Sequence, residues 1–208
     1  MSGSGLGIDV GQKVAQGLEA LGISVTIGHA PDNINGADVV VHSTAVPHDN
    51  LERVTARDRG IPEAHRSDML GLCLQGFESV GVTGTHGKGT VSAMITHCLI
   101  QNDLDPTFVI GGLLNNYRLN ARSGSGRFAV AEVDESDRSH LNLRPSHVVV
   151  NNLEVDHLNF YDGLGDIVST MAEFINRNDA LKTLALNWDD AGVRALAEQI
   201  TVPFVRYG

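Results

Sequence analysis

The chain has 208 residues, of which 42% are apolar, enough to build a core in one large or two small domains. With 15 basic against 25 acidic residues its formal charge is -10, which excludes nucleic-acid binding through a generally basic surface. Binding of an anion must therefore rest on a local site, such as backbone N–H groups at a helix start. The two cysteines, Cys73 and Cys98, give neither a disulfide framework nor a zinc pattern, and fit a reducing compartment. No basic stretch leads into an apolar one at the N-terminus, and no run is long enough to cross a bilayer. The expectation is a cytoplasmic protein without a membrane partner.

In chain order, Val10, Val14, Leu18 and Leu21 recur at helical spacing, with Gly22 as a stop signal. Ile23 to Ile27 reads as a short strand and Ala37 to Val41 as a second, continuously apolar one, of the kind buried in a parallel sheet. Leu51 to Arg59 reads as a helix ended by Gly60 and Pro62, and Ser67 is expected to cap a short helix through Leu74. A second unit opens near Gly76. There Ser79 to Thr83 reads as a strand, followed by a helix with Val91, Met94, Ile95, Cys98 and Leu99 on one face. Residues 113–126, rich in Gly, Asn and Ser, read as a long loop. Phe128 to Val133 and His147 to Val150 are the next strands. Ile167, Val168, Met171, Phe174 and Ile175 mark an amphipathic helix. Thr183 to Leu186, a helix over 190–199 and Val202 to Val205 close the chain. This alternation predicts an α/β fold with a mainly parallel sheet. The expected domains are 1–75, a partial Rossmann-like unit, and 76–208, a P-loop-type sheet domain incomplete at its C-terminal end.

The strongest chemical signal is GTHGKGT at residues 84–90, set between a strand and a helix. Glycines let backbone approach phosphate oxygens, and the helix start offers N–H groups and a positive dipole end. Lys88 supplies a mobile point charge. The common phosphate-loop spacing is not met, because Val82 stands where its first Gly would fall; Gly84, two residues, Gly87 and Lys88 form a shorter pattern. The expected phosphate-binding residues are Gly84, Thr85, His86, Gly87, Lys88, Gly89 and Thr90. AEVDESD at residues 131–137 ends a strand and brings Glu132, Asp134, Glu135 and Asp137 to one sheet edge, where ligands bind in open α/β sheets. Such oxygens suit Mg²⁺, although an acidic run by itself is commonly a solvated loop. NNLEVDH at residues 151–157 delivers Asp156 and His157 past a third apolar strand. Histidine is not a preferred Mg²⁺ ligand on chemical grounds. HSTAVP at residues 42–47 places small hydroxyl residues at a strand end, and GSGLG at residues 3–7 lacks the preceding strand of a dinucleotide fingerprint.

Together, GTHGK, AEVDESD and NNLEVDH, with DPTFVIGG at 105–112, GADVVVHSTAVP at 36–47 and NWDD at 187–190, resemble the Mur ligase superfamily. The resemblance is strongest to the ligases that add L-alanine to UDP-N-acetylmuramate, and covers nearly the whole chain. It implies ATP-dependent phosphorylation of a carboxylate, followed by attack of an amino acid's amine on the acyl phosphate, in peptidoglycan precursor synthesis. It further implies ATP and Mg²⁺ as cofactors, with Lys88, Glu132 and His157 as catalytic residues and Thr90, Glu132 and His157 as metal ligands. Substrate contacts would come from Ser43, Thr44, Asp134, Glu135 and Ser136.

Three departures stand out. Gly89 replaces the threonine usual after the loop lysine, leaving Thr90 as the candidate hydroxyl ligand. Asn159 stands where Asp is common. The opening strand and Gly-rich turn of the family, its adenine-contacting His-Asn segment and its C-terminal ligase domain are not found in the sequence. The expectation is therefore a partial chain that does not complete ligation by itself. The alternatives are a non-catalytic nucleotide-binding module, or a superfamily ligase acting on murein tripeptide, a folate-like or a tetrapyrrole carboxylate.

Overall fold

The computed structural model describes residues 6–7, 12–156 and 158–208. Val10 and His157 lie outside the described residues. The chain divides into two compact units between Met69 and Leu70.

In the first unit, β1 (Leu6–Gly7) pairs in parallel with β2 (Val25–Thr26), with α1 (Gln12–Ala20) between them. A second parallel pair joins β3 (Val40–His42) and β4 (Glu63–His65) across α2 (Leu51–Arg59). The Asn50 side chain accepts from the N–H groups of Glu52 and Arg53, and Gly60 ends α2 in the left-handed region at φ 68°. Buried Arg53 is neutralised by Glu63 at 2.6 Å and donates to the Val46 carbonyl at 2.8 Å, so its charge is not orphaned. The expected strand 23–27 shrinks to two residues and the expected strand 37–41 moves to Val40–His42. β4 escaped sequence reading because Glu-Ala-His has no apolar run. Ser67 is not a cap: it lies inside α3 (Arg66–Cys73), which opens where the His65 N–H donates to Asp68 Oδ2 at 2.9 Å. α3 crosses the division between the units.

The second unit is built on seven strands: β5 (Glu78–Thr83), β6 (Thr107–Leu114), β7 (Leu119–Arg122), β8 (Phe128–Glu132), β9 (His147–Val150), β10 (Thr183–Asn187) and β11 (Val205–Tyr207). Their order is β11-β10-β9-β5-β8-β6-β7, and every pairing is parallel except β6 with β7. Along β8 the side chains alternate between clusters. Val130 packs with Phe108 and Ile110 toward α4 (Lys88–Gln101), while Ala129 and Ala131 pack with Leu70, Leu74 and Phe77. The largest cluster unites β9 and β10 with α5 (Leu164–Asn176) and α6 (Ala191–Ala197) through Val148, Val150, Leu184, Leu186, Phe174, Ile175 and Leu196. All five apolar positions expected to mark α5 are buried.

Three expectations fail here, the simplest being the last strand, which is Val205–Tyr207 and not Val202 to Val205. Residues 113–126 are not one loop, because β6 and β7 form an antiparallel hairpin whose turn places Arg118 at φ 54°. The glycines and asparagines there hid a strand that Phe108, Ile110 and Leu114 anchor in the core. On α4, Met94 and Cys98 face outward, while Ser92 and Thr96 are fully buried. Small side chains let the helix lie close to the sheet, a packing rule that hydrophobic periodicity does not report.

Candidate active site

The three strands that carry the motifs are neighbours: β9, β5 and β8 lie side by side and parallel, with Val82 opposite Glu132 and Thr83 opposite Val150. Their C-terminal ends therefore open on one edge, where an α/β sheet binds ligands. From β5 the chain turns through Gly84 (φ 128°) and Gly87 (φ 79°), which caps α4. Both conformations favour glycine. A side chain at Gly84 would also strike Asn152, whose carbonyl oxygen and amide nitrogen stand 2.8 and 2.9 Å from the Cβ position.

The loop is strapped to the segment after β9. The Thr85 N–H donates to the Asn152 carbonyl at 3.0 Å, and the His86 N–H donates to Asn152 Oδ1 at 2.7 Å. Both Asn151 and Asn152 return side-chain N–H groups to the His86 carbonyl, at 3.3 and 3.1 Å. The Glu154 N–H donates to the Thr85 hydroxyl at 3.0 Å. Loop shape is thus fixed before any ligand arrives. By helix geometry the first N–H groups of α4, at Lys88, Gly89 and Thr90, have no acceptor within the helix and point along the dipole's positive end.

Lys88 folds back over this loop. Its Nζ donates to the Gly84 carbonyl at 2.8 Å and lies 3.1 Å from each carboxylate oxygen of Glu135. Glu135 is only 2% exposed. Burial holds its carboxyl above the usual carboxylate range, against the pull of the Lys88 ammonium. Tyr161, itself buried, donates its hydroxyl to the Glu135 carbonyl, and Arg138 lies across its ring at 4.7 Å while pairing with Asp166.

Glu132 ends β8 beside the start of α4. Its Oε1 accepts the Gly111 N–H at 2.8 Å. A Cβ on Gly89 would stand 2.9 Å from Oε1, and one on Gly111 would stand 3.2 Å from Oε2. Two glycines thus cradle the carboxylate, one of them the residue before Thr90. A carboxylate and a hydroxyl are hard oxygen donors of the kind Mg²⁺ takes, so these residues fit the expected metal. Asp134 and Ser136 form a tight turn, with the Ser136 N–H donating to Asp134 Oδ1 at 3.2 Å. In the first unit, the Thr44 hydroxyl pairs with His65 Nε2 at 3.0 Å, next to Ser43.

A cavity of about 560 Å³ adjoins the loop, between α4 and β6, lined by Gly89, Thr90, Met94, His97, Ile110 and Leu113 among others. His97 pairs with the Tyr117 hydroxyl at 2.8 Å. Sequence reading placed Met94 on a core-facing helix side and Ile110, Asn151 and Asn152 in motifs, but gave none of them a place in the cavity wall or the strap. Exposed Met94 and Leu113 were the available signal.

A central parallel strand that feeds a Gly-x-x-Gly-Lys turn, with a carboxylate at the adjoining strand end, defines a P-loop-type α/β domain. The chain belongs to the Mur ligase family: residues 82–208 match the Mur ligase middle domain, and residues 5–78 match the domain described as Mur ligase family, catalytic domain. It is 43% identical over 198 residues to the UDP-N-acetylmuramate–L-alanine ligase of Geobacter sp. (strain M21), covering 95% of this chain and 43% of that protein. To the ligase of the same name from Syntrophotalea carbinolica it is 42% identical over 208 residues, 100% of this chain and 45% of that protein. Among solved structures, the UDP-N-acetylmuramate:L-alanyl-gamma-D-glutamyl-meso-diaminopimelate ligase of Neisseria meningitides superposes with a TM-score of 0.85 at 25% identity, covering 96% of this chain and 68% of that one. The UDP-N-acetylmuramate-alanine ligase of Thermotoga maritima gives 0.79 at 31% identity, covering 88% and 43%. The chain therefore spans less than half the length of these curated relatives.

Proposed function

We propose that this chain is the nucleotide-binding part, with part of the UDP-sugar-binding part, of an ATP-dependent ligase that joins an amino acid, L-alanine, to UDP-N-acetylmuramate. The observation that carries the reading is the convergence of Lys88, the α4 N-terminus and Glu132 on one sheet edge. The sequence identity to alanine-adding ligases supports the choice of amino acid and sugar substrate.

In this reading the N–H groups at the start of α4, on Lys88, Gly89 and Thr90, and the Lys88 ammonium receive the ATP phosphates, while the N–H groups of Thr85 and His86 are held by Asn152. Glu132 and Thr90, joined by His157, would hold Mg²⁺, which would supply neutralisation of negative charge. Held in a fixed cradle, these groups stabilise charge as the terminal phosphoryl group passes to the substrate carboxylate; the contribution is positional and electrostatic. Ser43 and Thr44 contact the UDP-sugar diphosphate, and Asp134 and Ser136 contact the substrate.

Calorimetric titration of the chain with ATP and Mg²⁺, together with a melting curve, tests the reading. Wild type is expected to bind and to melt higher with ATP and Mg²⁺, and Lys88→Ala to lose both effects. Absence of heat and of a melting shift in the wild type would overturn it. Thermal shifts with UDP-N-acetylmuramate against murein-tripeptide, folate-like and tetrapyrrole carboxylates separate the substrate classes.

A further inference from the structure

We propose that Tyr207 is a positioning residue for the phosphate loop: from the edge strand β11 it holds the Asn151 side-chain amide in the orientation that pins the His86 carbonyl. The inference rests on the nucleotide-binding reading above and adds to it a residue from outside the three motif strands.

Tyr207 lies in β11, which pairs with β10 and not with β9. Its ring reaches past β10, and its hydroxyl stands 3.2 Å from Asn151 Oδ1 and 3.4 Å from the Val150 carbonyl. A phenol has one proton to donate, and Asn151 is the nearer acceptor. Partial burial raises the pKa of the hydroxyl above its ordinary value, so it keeps that proton at neutral pH. Asn151 is itself buried, at 6% exposure, and its Nδ2 donates to the His86 carbonyl at 3.3 Å. A side-chain amide presents an oxygen on one side and N–H groups on the other. Donation from Tyr207 to Oδ1 therefore keeps Nδ2 on the His86 side. Reversed, the amide would set Oδ1 against the His86 carbonyl oxygen, two acceptors with no proton between them.

The restraint acts on the peptide that joins His86 to Gly87. In a planar trans peptide the C=O and N–H point in opposite directions. With the carbonyl held by Asn151 and Asn152, the Gly87 N–H points away from both asparagines. Gly87 sits at φ 79° and carries no Cβ, so this peptide meets little steric resistance to turning over. Turned over, it would exchange the N–H for a carbonyl oxygen, next in the chain to the N–H groups that open α4, and an oxygen repels phosphate. The strand that carries Tyr207 is anchored without the hydroxyl. The Trp188 N–H donates to the Tyr207 carbonyl at 2.7 Å, and the Arg206 guanidinium lies 3.8 Å from the Trp188 ring centre. Removing the hydroxyl thus leaves the support of the ring in place.

The test uses the 208-residue chain with Tyr207→Phe, Asn151→Ala and the two together. Calorimetry with ATP and Mg²⁺ and a melting curve are recorded for each. Tyr207→Phe is expected to bind about fivefold more weakly, the worth of one ordinary hydrogen bond, at a nearly unchanged melting temperature. The double variant is expected to bind no more weakly than Asn151→Ala, because the hydroxyl acts through that side chain. Tyr207→Phe that binds like wild type or melts markedly lower, or losses that add in the double variant, overturn the proposal. Should Asn151→Ala fail to fold, Tyr207→Phe alone decides by the same two readings. Amide exchange in the nucleotide-free chain reads the loop itself. The Thr85 and His86 N–H groups, both held by Asn152, are expected to exchange severalfold faster in Tyr207→Phe, and equal rates overturn the proposal. If wild type binds no nucleotide, the nucleotide reading falls and exchange alone settles the role of Tyr207, which keeps the two failures apart.

Discussion

The carboxylate of Glu132 occupies the space that a side chain at Gly89 would fill, with only 2.9 Å between Oε1 and the Cβ position. The glycine that removes one hydroxyl from the helix start therefore also makes room for a carboxylate to close over it.

Gly89→Ala tests that coupling. The methyl group pushes Glu132 off the Gly111 N–H. It also replaces a glycine in a helix by alanine, which favours the helix by about 1 kcal/mol. The expected outcome is a melting temperature equal to or above wild type, with the Mg²⁺-dependent part of ATP affinity reduced about tenfold, or ~1.4 kcal/mol. Calorimetry with and without Mg²⁺ reads the two effects apart. Unchanged Mg²⁺ dependence would show that Glu132 does not serve the metal from this position.

Asn152 carries much of the strap between the two loops. Asn152→Ala leaves the His86 N–H without its side-chain acceptor and the His86 carbonyl with Asn151 alone, a loss of about 1–3 kcal/mol if the N–H stays unsatisfied. ATP affinity is expected to fall by about tenfold or more, with a modest drop in melting temperature. Asn152→Asp, which keeps the acceptor for the His86 N–H, should recover part of the loss. Equal affinity in both variants and wild type would mean the loop holds its shape without the strap.

His140 gives the fold an acid-sensitive point. The ring is 1% exposed, packs edge-on against Phe174 at 5.4 Å, and among the described residues neither nitrogen makes a hydrogen bond of good geometry, with the Thr170 backbone the neighbour nearest to one. Burial lowers its pKa to about 4, more than the nearby Thr170 backbone, Asp137 and Asp134 raise it. The unfolded chain, with histidine near 6.5, binds a proton that the folded chain refuses. Stability from this group is therefore present above pH 6.5 and is lost as pH falls toward 4, by up to roughly 3 kcal/mol. Denaturant unfolding of wild type and His140→Phe at pH 7.5, 6 and 5 should show the variant gaining on wild type as the solution acidifies. A constant difference across the series would remove His140 from the account.

Phe174 is fully buried in the largest cluster. Phe174→Ala is expected to destabilise the second unit by about 3–5 kcal/mol, as large-to-small core changes do. Urea unfolding at pH 7.5 measures it, and a change under 1 kcal/mol would mean the cluster refills the space. The same variant should lose nucleotide binding only in proportion to the fraction unfolded, since Phe174 touches no loop atom discussed above.

How much was legible depended on which physical signal each residue carries. α2 was readable to the residue because Gly60 forces the left-handed stop. β9 was readable because four residues ending in three valines have one use in a parallel sheet. The loop–helix turn was readable because Gly84 and Gly87 carry positive φ. The β6–β7 hairpin was not, since the Gly, Asn and Ser of residues 113–126 masked the short polar return strand β7, while the anchoring residues Phe108 and Ile110 lie before that stretch. The α4 face was misread because Ser92 and Thr96 are buried for their size rather than their polarity. Glu135 was marked from its motif, yet its partnership with Lys88 spans 47 positions and needs the sheet order to be known.

The bonds that shape the phosphate loop join residues 66 to 69 positions apart, from Thr85 and His86 to Asn152 and Glu154. A growing or refolding chain therefore owns the whole loop sequence long before it owns the loop. Closure of so wide a span is slow and costs entropy up front. The loop therefore takes its final shape only once β9 has docked beside β5, and the triphosphate site proposed for it depends on that docking.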